Sequence, residues 1–318
     1  RQQTAAAMEI RMISPHILLE RRPYARSAGP RNRETANDMQ NVTPIPIIQA
    51  PMAGAQGVEL AIAVAEAGGL GSLPCAMISP DDIRAQIGVF RGRTNAPLNL
   101  NFFAHRAASP DPERDARWMA KLGRYYAELG LEAKAGGGGR RPFDEEMCAL
   151  VEEMKPEVVS FHFGLPDDAL LQRVRSASAK VLSSATTVDE ARWLDAKGVD
   201  AIIAQGAEAG GHRGMFLGED LDTQLGTFAL LPQIVRAVRV PVVAAGGIAD
   251  AAGVRAALAL GAAGVQVGTA YLLCPEATTS ALHRAALQGP AAQHTWKFGP
   301  SLLQGIWKSD VEKIAFNL

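Results

Sequence analysis

The chain has 318 residues, 47% hydrophobic and 20% charged, the balance of a globular protein long enough to bury a sizeable core. Its net charge of −1 argues against an electrostatic nucleic-acid binder, which needs a basic face. The three cysteines (Cys75, Cys148 and Cys274) show no CxxC spacing, and so sparse a set suits a reducing, cytoplasmic setting better than a disulfide framework.

Residues 1–44 read as an extension. Residues 1–43 hold seven arginines against the acids Glu9, Glu20, Glu34 and Asp38, a net +3, without steady periodicity. They contain no apolar h-region, so no secretory signal is expected, and the acids count against an Arg-rich organelle presequence. Two charge-free runs, 40–58 and 256–275, approach membrane-spanning length. The first carries Pro44, Pro46 and Pro51, and the second Gly261, Gly264, Gly268 and Gln266, so both read as buried strands with turns.

From residue 45 a unit repeats: a short apolar run, a turn residue, then an Ala/Leu-rich amphipathic segment. The strands expected in chain order are 45–50 (IPIIQA), 69–73 (GLGSL), 98–103 (LNLNFF) and 157–162 (EVVSFH). Four more follow at 180–185 (KVLSSA), 200–205 (DAIIAQ), 241–246 (PVVAAG) and 264–268 (GVQVG). Helical patterns lie between them, for example 58–67, 187–196 and 249–260, and 278–287 follows the last strand. Asp250 near the start of 249–260 and Gly261 just past its end are matching cap residues.

Strands alternating with helices imply a parallel sheet buried on both faces. Eight units, and no early GxGxxG loop, favour a (β/α)8 TIM barrel over an open doubly wound sheet. The barrel is expected over 45–290, with a tail at 291–318. Two connections are long. The one at about 104–156 carries a helix near 111–130, the glycine run 136–139 and a helix near 142–154; the other spans 206–225. Both follow strands, so both fall on the face where barrels place their sites.

The ends of strands seven and eight, AAGGI (244–248) and VQVGT (265–269), suit a phosphate. Glycine lets backbone N–H groups approach an anion, and the next helix N-terminus adds partial positive charge. The plain alternative is a pair of tight turns. Met52 and Gly54 end strand one, and a methionine there would pack under a flat ligand or fill the core. By alternation Asn99 and Asn101 point one way and Leu98, Leu100 and Phe102 the other. An asparagine there serves either a ligand edge or the turn, and Gln205 ends strand six in the same manner.

Of six histidines, His16 and His294 fall in the terminal arms, His283 on the last helix and His105 at the start of a long loop. His162 ends strand four, where it would line the mouth and meet substrate. His212 lies in AEAGGHRG (207–214), beyond strand six. Pattern alone divides proton transfer between His212 and His162. There is no HExxH, no clustered Cys/His set and no GxSxG elbow, so neither a metal nor a serine nucleophile is expected.

Six motifs in order, PIIQAPMAG, AEAGGLGSLP, LNLNFF, VVSFHFGLP, AQGAEAGGHRG and PVVAAGGIADAAGVRAALALGAAGVQVGT, resemble those of the nitronate monooxygenases, once called 2-nitropropane dioxygenases. The resemblance covers about 45–290; the arm and the tail, ending in KIAFNL, carry none of it. It implies a TIM barrel binding FMN through Met52, Gly54, Asn101, Gln205, Gly210, Gly247, Gln266, Val267, Gly268 and Thr269. It also implies that His212 is the catalytic histidine and that nitronates or nitroalkanes react with O2, without a nicotinamide. No nucleic-acid or membrane partner is expected, and the fold is compatible with a homodimer. A neutral His212 would take the proton α to a nitro group; a protonated one would pair with the nitronate anion.

Two other readings stay open. One is an NAD(P)H-dependent flavin reductase on the same barrel, of the enoyl-acyl-carrier-protein reductase or quinone reductase type. The enoyl reductases tend to carry QGGM after strand one and Glu before the AGGH glycines, where this chain has QAPM and Gln205. The other is a barrel that binds a phosphate ligand without redox chemistry.

Overall fold

The structure is a computed structural model that describes residues 43–106, 111–132 and 141–289. The N-terminal arm with His16, the glycine run 136–139, and the tail with His294 lie outside the described residues. Eight strands form one parallel sheet: β1 (Ile47–Gln49), β2 (Gly71–Pro74), β3 (Leu98–Phe103), β4 (Val158–His162), β5 (Lys180–Ala185), β6 (Ala201–Gln205), β7 (Val242–Ala245) and β8 (Gly264–Val267). Their order runs from β2 through β8 to β1. A parallel bridge between Ile48 and Leu70 joins the two ends, with Gln49 N donating to Leu70 O at 2.9 Å. The described strands therefore form a closed TIM barrel, with no exposed sheet edge among them.

The strands carry apolar residues on both faces, as burial between a barrel interior and a helical shell requires. Along β3, Leu98, Leu100 and Phe102 join the outer core, where Phe102 meets Phe143 edge-on at 5.0 Å. Inside the barrel, Ile48, Leu70, Val158, Leu182, Ile203 and Val243 pack as a separate apolar cluster. Burying each such side chain stabilises the fold by about 1.5–3 kcal/mol. Toward the C-terminal strand ends, Asn101, Ser160, His162, Ser184, Gln205 and Gln266 occupy the alternating set that continues this inner cluster. The inner floor is thus mostly apolar, with Ser72 and Asn99 bonded to each other as its buried polar pair, and the upper interior is polar, so polar chemistry collects at the mouth.

Nine helices are described: α1 (Val58–Glu66), α2 (Pro80–Arg93), α3 (Pro112–Leu129), α4 (Glu145–Met154), α5 (Asp168–Ser176), α6 (Val188–Ala196), α7 (Thr227–Ala237), α8 (Ala251–Ala259) and α9 (Ala281–Gln288). Side-chain oxygens start most of them. Ser79, Asp144, Asp167, Thr187, Asp250 and Ser280 each accept a backbone N–H from the first turn. Gly261 follows α8 with φ +99°, the left-handed geometry expected from the sequence. Strand two runs Gly71–Pro74 rather than 69–73, with Leu70 just before it bridged to Ile48; Gly71 lies against the backbone of Ala61 in α1, where a Cβ would overlap the carbonyl. The connection after β3 contains α3, whose side chains are mostly exposed apart from Leu122. Its successor α4 packs into the helical shell through Met147, Cys148, Leu150 and Val151.

Cys75, Cys148 and Cys274 are each buried, and burial pushes the Cys75 thiol far above its ordinary range. No described helix is long and apolar enough to cross a membrane.

Candidate active site

The site is built where β3, β4 and β6 end. His162 closes β4 in register with Phe103. Its Nε2 lies 2.9 Å from the His212 carbonyl and its Nδ1 2.9 Å from Ser184 Oγ. A carbonyl only accepts, so Nε2 carries the hydrogen and Nδ1 accepts from the Ser184 hydroxyl. Gln205 Nε2 donates to the same carbonyl at 2.9 Å, and Gln205 Oε1 accepts from Gly214 N at 2.8 Å. The loop after β6 is therefore held by two inward-facing side chains on strands β4 and β6.

Burial pushes the His162 pKa down from 6.5 to about 4; the Arg213 cation adds to this and the His212 carbonyl opposes it. The unfolded chain thus takes a proton near pH 6.5 that the folded protein refuses until about pH 4. Stability from this residue is full above pH 6.5 and is lost as pH falls toward about 4. The loss amounts to roughly 3 kcal/mol. Urea midpoints followed over that window should fall more steeply in the wild type than in His162→Gln. Parallel curves would refute the effect.

Other ties fix the same loop. The Arg213 guanidinium donates to the carbonyls of Gln205 at 2.8 Å and Gly206 at 2.7 Å. Burial lowers its pKa to about 10, so it remains a cation at neutral pH. Glu190 is 2% exposed. Its Oε1 accepts from Phe216 N at 2.7 Å and Leu217 N at 3.3 Å, and its Oε2 from Thr186 N and Oγ1 at 2.7 and 2.8 Å. Glu208 Oε2 accepts from Thr227 N at 2.7 Å, serving a helix, α7, whose own N-cap is the side-chain-less Gly226.

His212 emerges from this frame with its ring 5.3 Å from Phe103 and 5.7 Å from Phe163, centroid to centroid. Phe163 also lies 4.5 Å from the His162 ring and 6.0 Å from His105. Three histidines and two phenylalanines thus gather at the mouth. Phe163 has φ +68°, an uncommon conformation for a bulky residue. Backbone strain of this kind clusters at functional sites.

On the far side, β7 turns through Gly246 and Gly247, with φ +115° and +66°. A Cβ on Gly246 would stand 2.7 Å from Ala209 N and 2.8 Å from Thr227 Oγ1, so this turn fits directly beneath the β6 loop. A Cβ on Gly268 would stand 3.3 Å from Ala50 Cβ and 3.7 Å from Met52 Sδ, bringing the β8 and β1 turns together. Gly54 has φ +79° and open space around it. Thr269 opens a short 3-10 turn over Thr269–Leu273. Gln266 is level with Ala245 and Ile48, and its Oε1 is buried without a partner among the described residues. A buried acceptor of this kind fits a ligand N–H.

The residues singled out from the sequence do not all present side chains to the mouth. Asn101 Nδ2 donates to Ser160 O and Oγ, at 3.2 and 3.0 Å. Both ends of the Gln205 amide hold the loop. The Val267 side chain packs in the outer core and its carbonyl accepts from Ala50 N at 2.8 Å, because strand alternation turns it away from the interior. Gly210 lies half-buried in the β6 loop. Sequence reasoning missed Ser184, Glu190, Glu208, Arg213, Phe103 and Phe163. Glu190 was concealed by the pattern Thr187-x-x-Glu190, which reads as an ordinary helix start.

A family description of nitronate monooxygenase matches residues 34–297. The chain is 45% identical over 253 residues to a nitronate monooxygenase of Paraburkholderia phytofirmans, covering 79% of this chain and 69% of that protein. It is 44% identical to one of Pseudomonas aeruginosa, covering 79% and 72%. A crystal structure of nitroalkane oxidase from Streptomyces ansochromogenes is similar at 39% identity with a TM-score of 0.74, covering 80% of this chain and 73% of that one.

Proposed function

The chain belongs to the nitronate monooxygenase family of oxidoreductases, and from that premise we propose that it oxidises alkyl nitronates with O2 on bound FMN, with His212 as the acid/base. The observation that carries this reading is the placement of His212. Its imidazole lies against Phe103 and Phe163 at the barrel mouth, on a loop fixed by partly buried hydrogen bonds. Such anchoring suits a group that must meet one substrate atom repeatedly, since proton transfer demands hydrogen-bond reach.

The residues present fit a flavin. The unpartnered Gln266 Oε1 suits a ring N–H, and Asn101 borders the same polar interior. Met52, Gly54 and Gly210 would flank the flavin from the β1 and β6 loops. Gly247, Gly268 and Thr269 would hold the phosphate through backbone N–H groups. When bound, FMN supplies a two-electron acceptor for the electron-rich nitronate. A neutral His212 removes the α proton of a nitroalkane; a protonated His212 pairs with the nitronate anion. The aromatic wall of Phe103 and Phe163 limits water around the reacting carbon.

The test uses purified protein whose released flavin is identified by mass. Anaerobic mixing with propionate 3-nitronate should bleach the flavin rapidly, and mixing with NADPH should not. Rapid bleaching by NADPH alone would overturn the reading in favour of a nicotinamide-dependent reductase.

A further inference from the structure

The β6 loop contains glycines at 210, 211 and 214, and Gly211 adopts φ +76°. Glycines leave the backbone without side-chain packing to define it, so the His212 ring needs an external anchor. The structure supplies one at the His212 carbonyl, which accepts both from His162 Nε2 and from Gln205 Nε2. Two donors occupy both lone pairs of that oxygen. Fixing the carbonyl of residue 212 fixes the peptide from which its own side chain departs.

The anchor is itself braced. Ser184, from β5, donates to His162 Nδ1 and so keeps the hydrogen on Nε2, facing the loop. Phe163 packs on the His162 ring at 4.5 Å and Phe103 at 5.9 Å. Gly214 lies directly on the pair: a Cβ there would stand 2.7 Å from His162 Cε1 and 3.2 Å from Gln205 Oε1. With both ring nitrogens bonded to protein, His162 has no hydrogen-bonding edge left for substrate.

We propose that His162, oriented by Ser184, is a positioning residue that sets the place of the His212 imidazole by holding the His212 carbonyl. This rests on the reading of His212 as the acid/base. It assigns the β4 histidine a task done through the loop.

Four variants of the full-length flavin-loaded protein test it: His162→Asn, His162→Gln, Ser184→Ala and His212→Asn. Glutamine carries an N–H at about the reach of imidazole Nε2, whereas asparagine is too short. In His162→Asn, kcat on nitroalkane should fall about tenfold with KM nearly unchanged, and amide hydrogen exchange over residues 206–217 should quicken about tenfold. His162→Gln should restore both to within about threefold, and Ser184→Ala should fall between. Flavin content should stay level across the set. A raised KM in His162→Asn without faster exchange would show that the ring meets substrate and would overturn the proposal. So would unchanged exchange with unchanged kcat. Full nitroalkane activity in His212→Asn would discard His212 as the base, whereas faster exchange in His162→Asn would still uphold the clamp, since exchange reads the loop without turnover.

Discussion

His212→Asn should lower kcat/KM on nitroalkanes by about 100- to 10,000-fold, the usual contribution of a positioned general base. On preformed nitronates the loss should be nearer tenfold. No proton is then removed, and only a charge-assisted hydrogen bond to the anion disappears. The contrast matters more than either figure. Asparagine keeps polarity and approximate size, and the loop stays anchored because its ties run through the backbone carbonyl of residue 212, which any side chain retains. Steady-state rates on a nitroalkane and on its nitronate decide the matter. An equal loss on both substrates would reduce His212 to a binding group, and no loss on either would remove it from the chemistry.

Glu190→Gln should destabilise the protein by about 3 kcal/mol despite its near-identical shape. Each Glu190 oxygen accepts from two donors: Phe216 N and Leu217 N on one, Thr186 N and Oγ1 on the other. An amide must turn its NH2 group toward one of these pairs, setting donor against donor in a site that is 2% exposed. Buried donors left without acceptors each cost about 1–3 kcal/mol. The urea midpoint should drop, and hydrogen exchange at Phe216 and Leu217 should quicken. A midpoint within about 0.5 kcal/mol of wild type would mean that the loop draws its stability elsewhere.

The fold was largely legible because barrel strands advertise themselves. LNLNFF and KVLSSA occupy the full spans of β3 and β5, with no residue gained or lost. Short apolar runs followed by Ser, Thr or Asp caps leave few alternatives once eight of them occur in order. Strand ends were less legible: 45–50 shortens to the three residues of β1, and 69–73 shifts to Gly71–Pro74. The candidate site was legible as positions but not as relationships. His162 and His212 stood out as histidines at strand ends. That one holds the other's carbonyl depends on residues 50 apart in the chain meeting across the barrel, which no local pattern encodes. Gln205 was expected at a ligand; that both ends of its amide hold the loop was not legible from its place at a strand end. Glu190 was hidden by a local motif that explains its residue type without requiring its actual partners.

Two kinds of contact hold the mouth. Around β6 and β7, the single Thr227 hydroxyl proton is shared between Glu208 Oε2 and Gly246 O, each 2.9 Å from Oγ1, and a methyl on Gly206 would strike that oxygen. Around β3 and β4, Phe103 and Phe163 meet edge to face at 5.2 Å, a contact of shape. One hydrophobic ring can replace another of similar volume at little expense, whereas a directional network fails when any member changes. Divergence within this lineage should therefore be uneven: new substrate ranges should arise by exchange along the aromatic rim, while the opposite bank, tied at once to the histidine loop and the glycine turn of β7, stays nearly frozen.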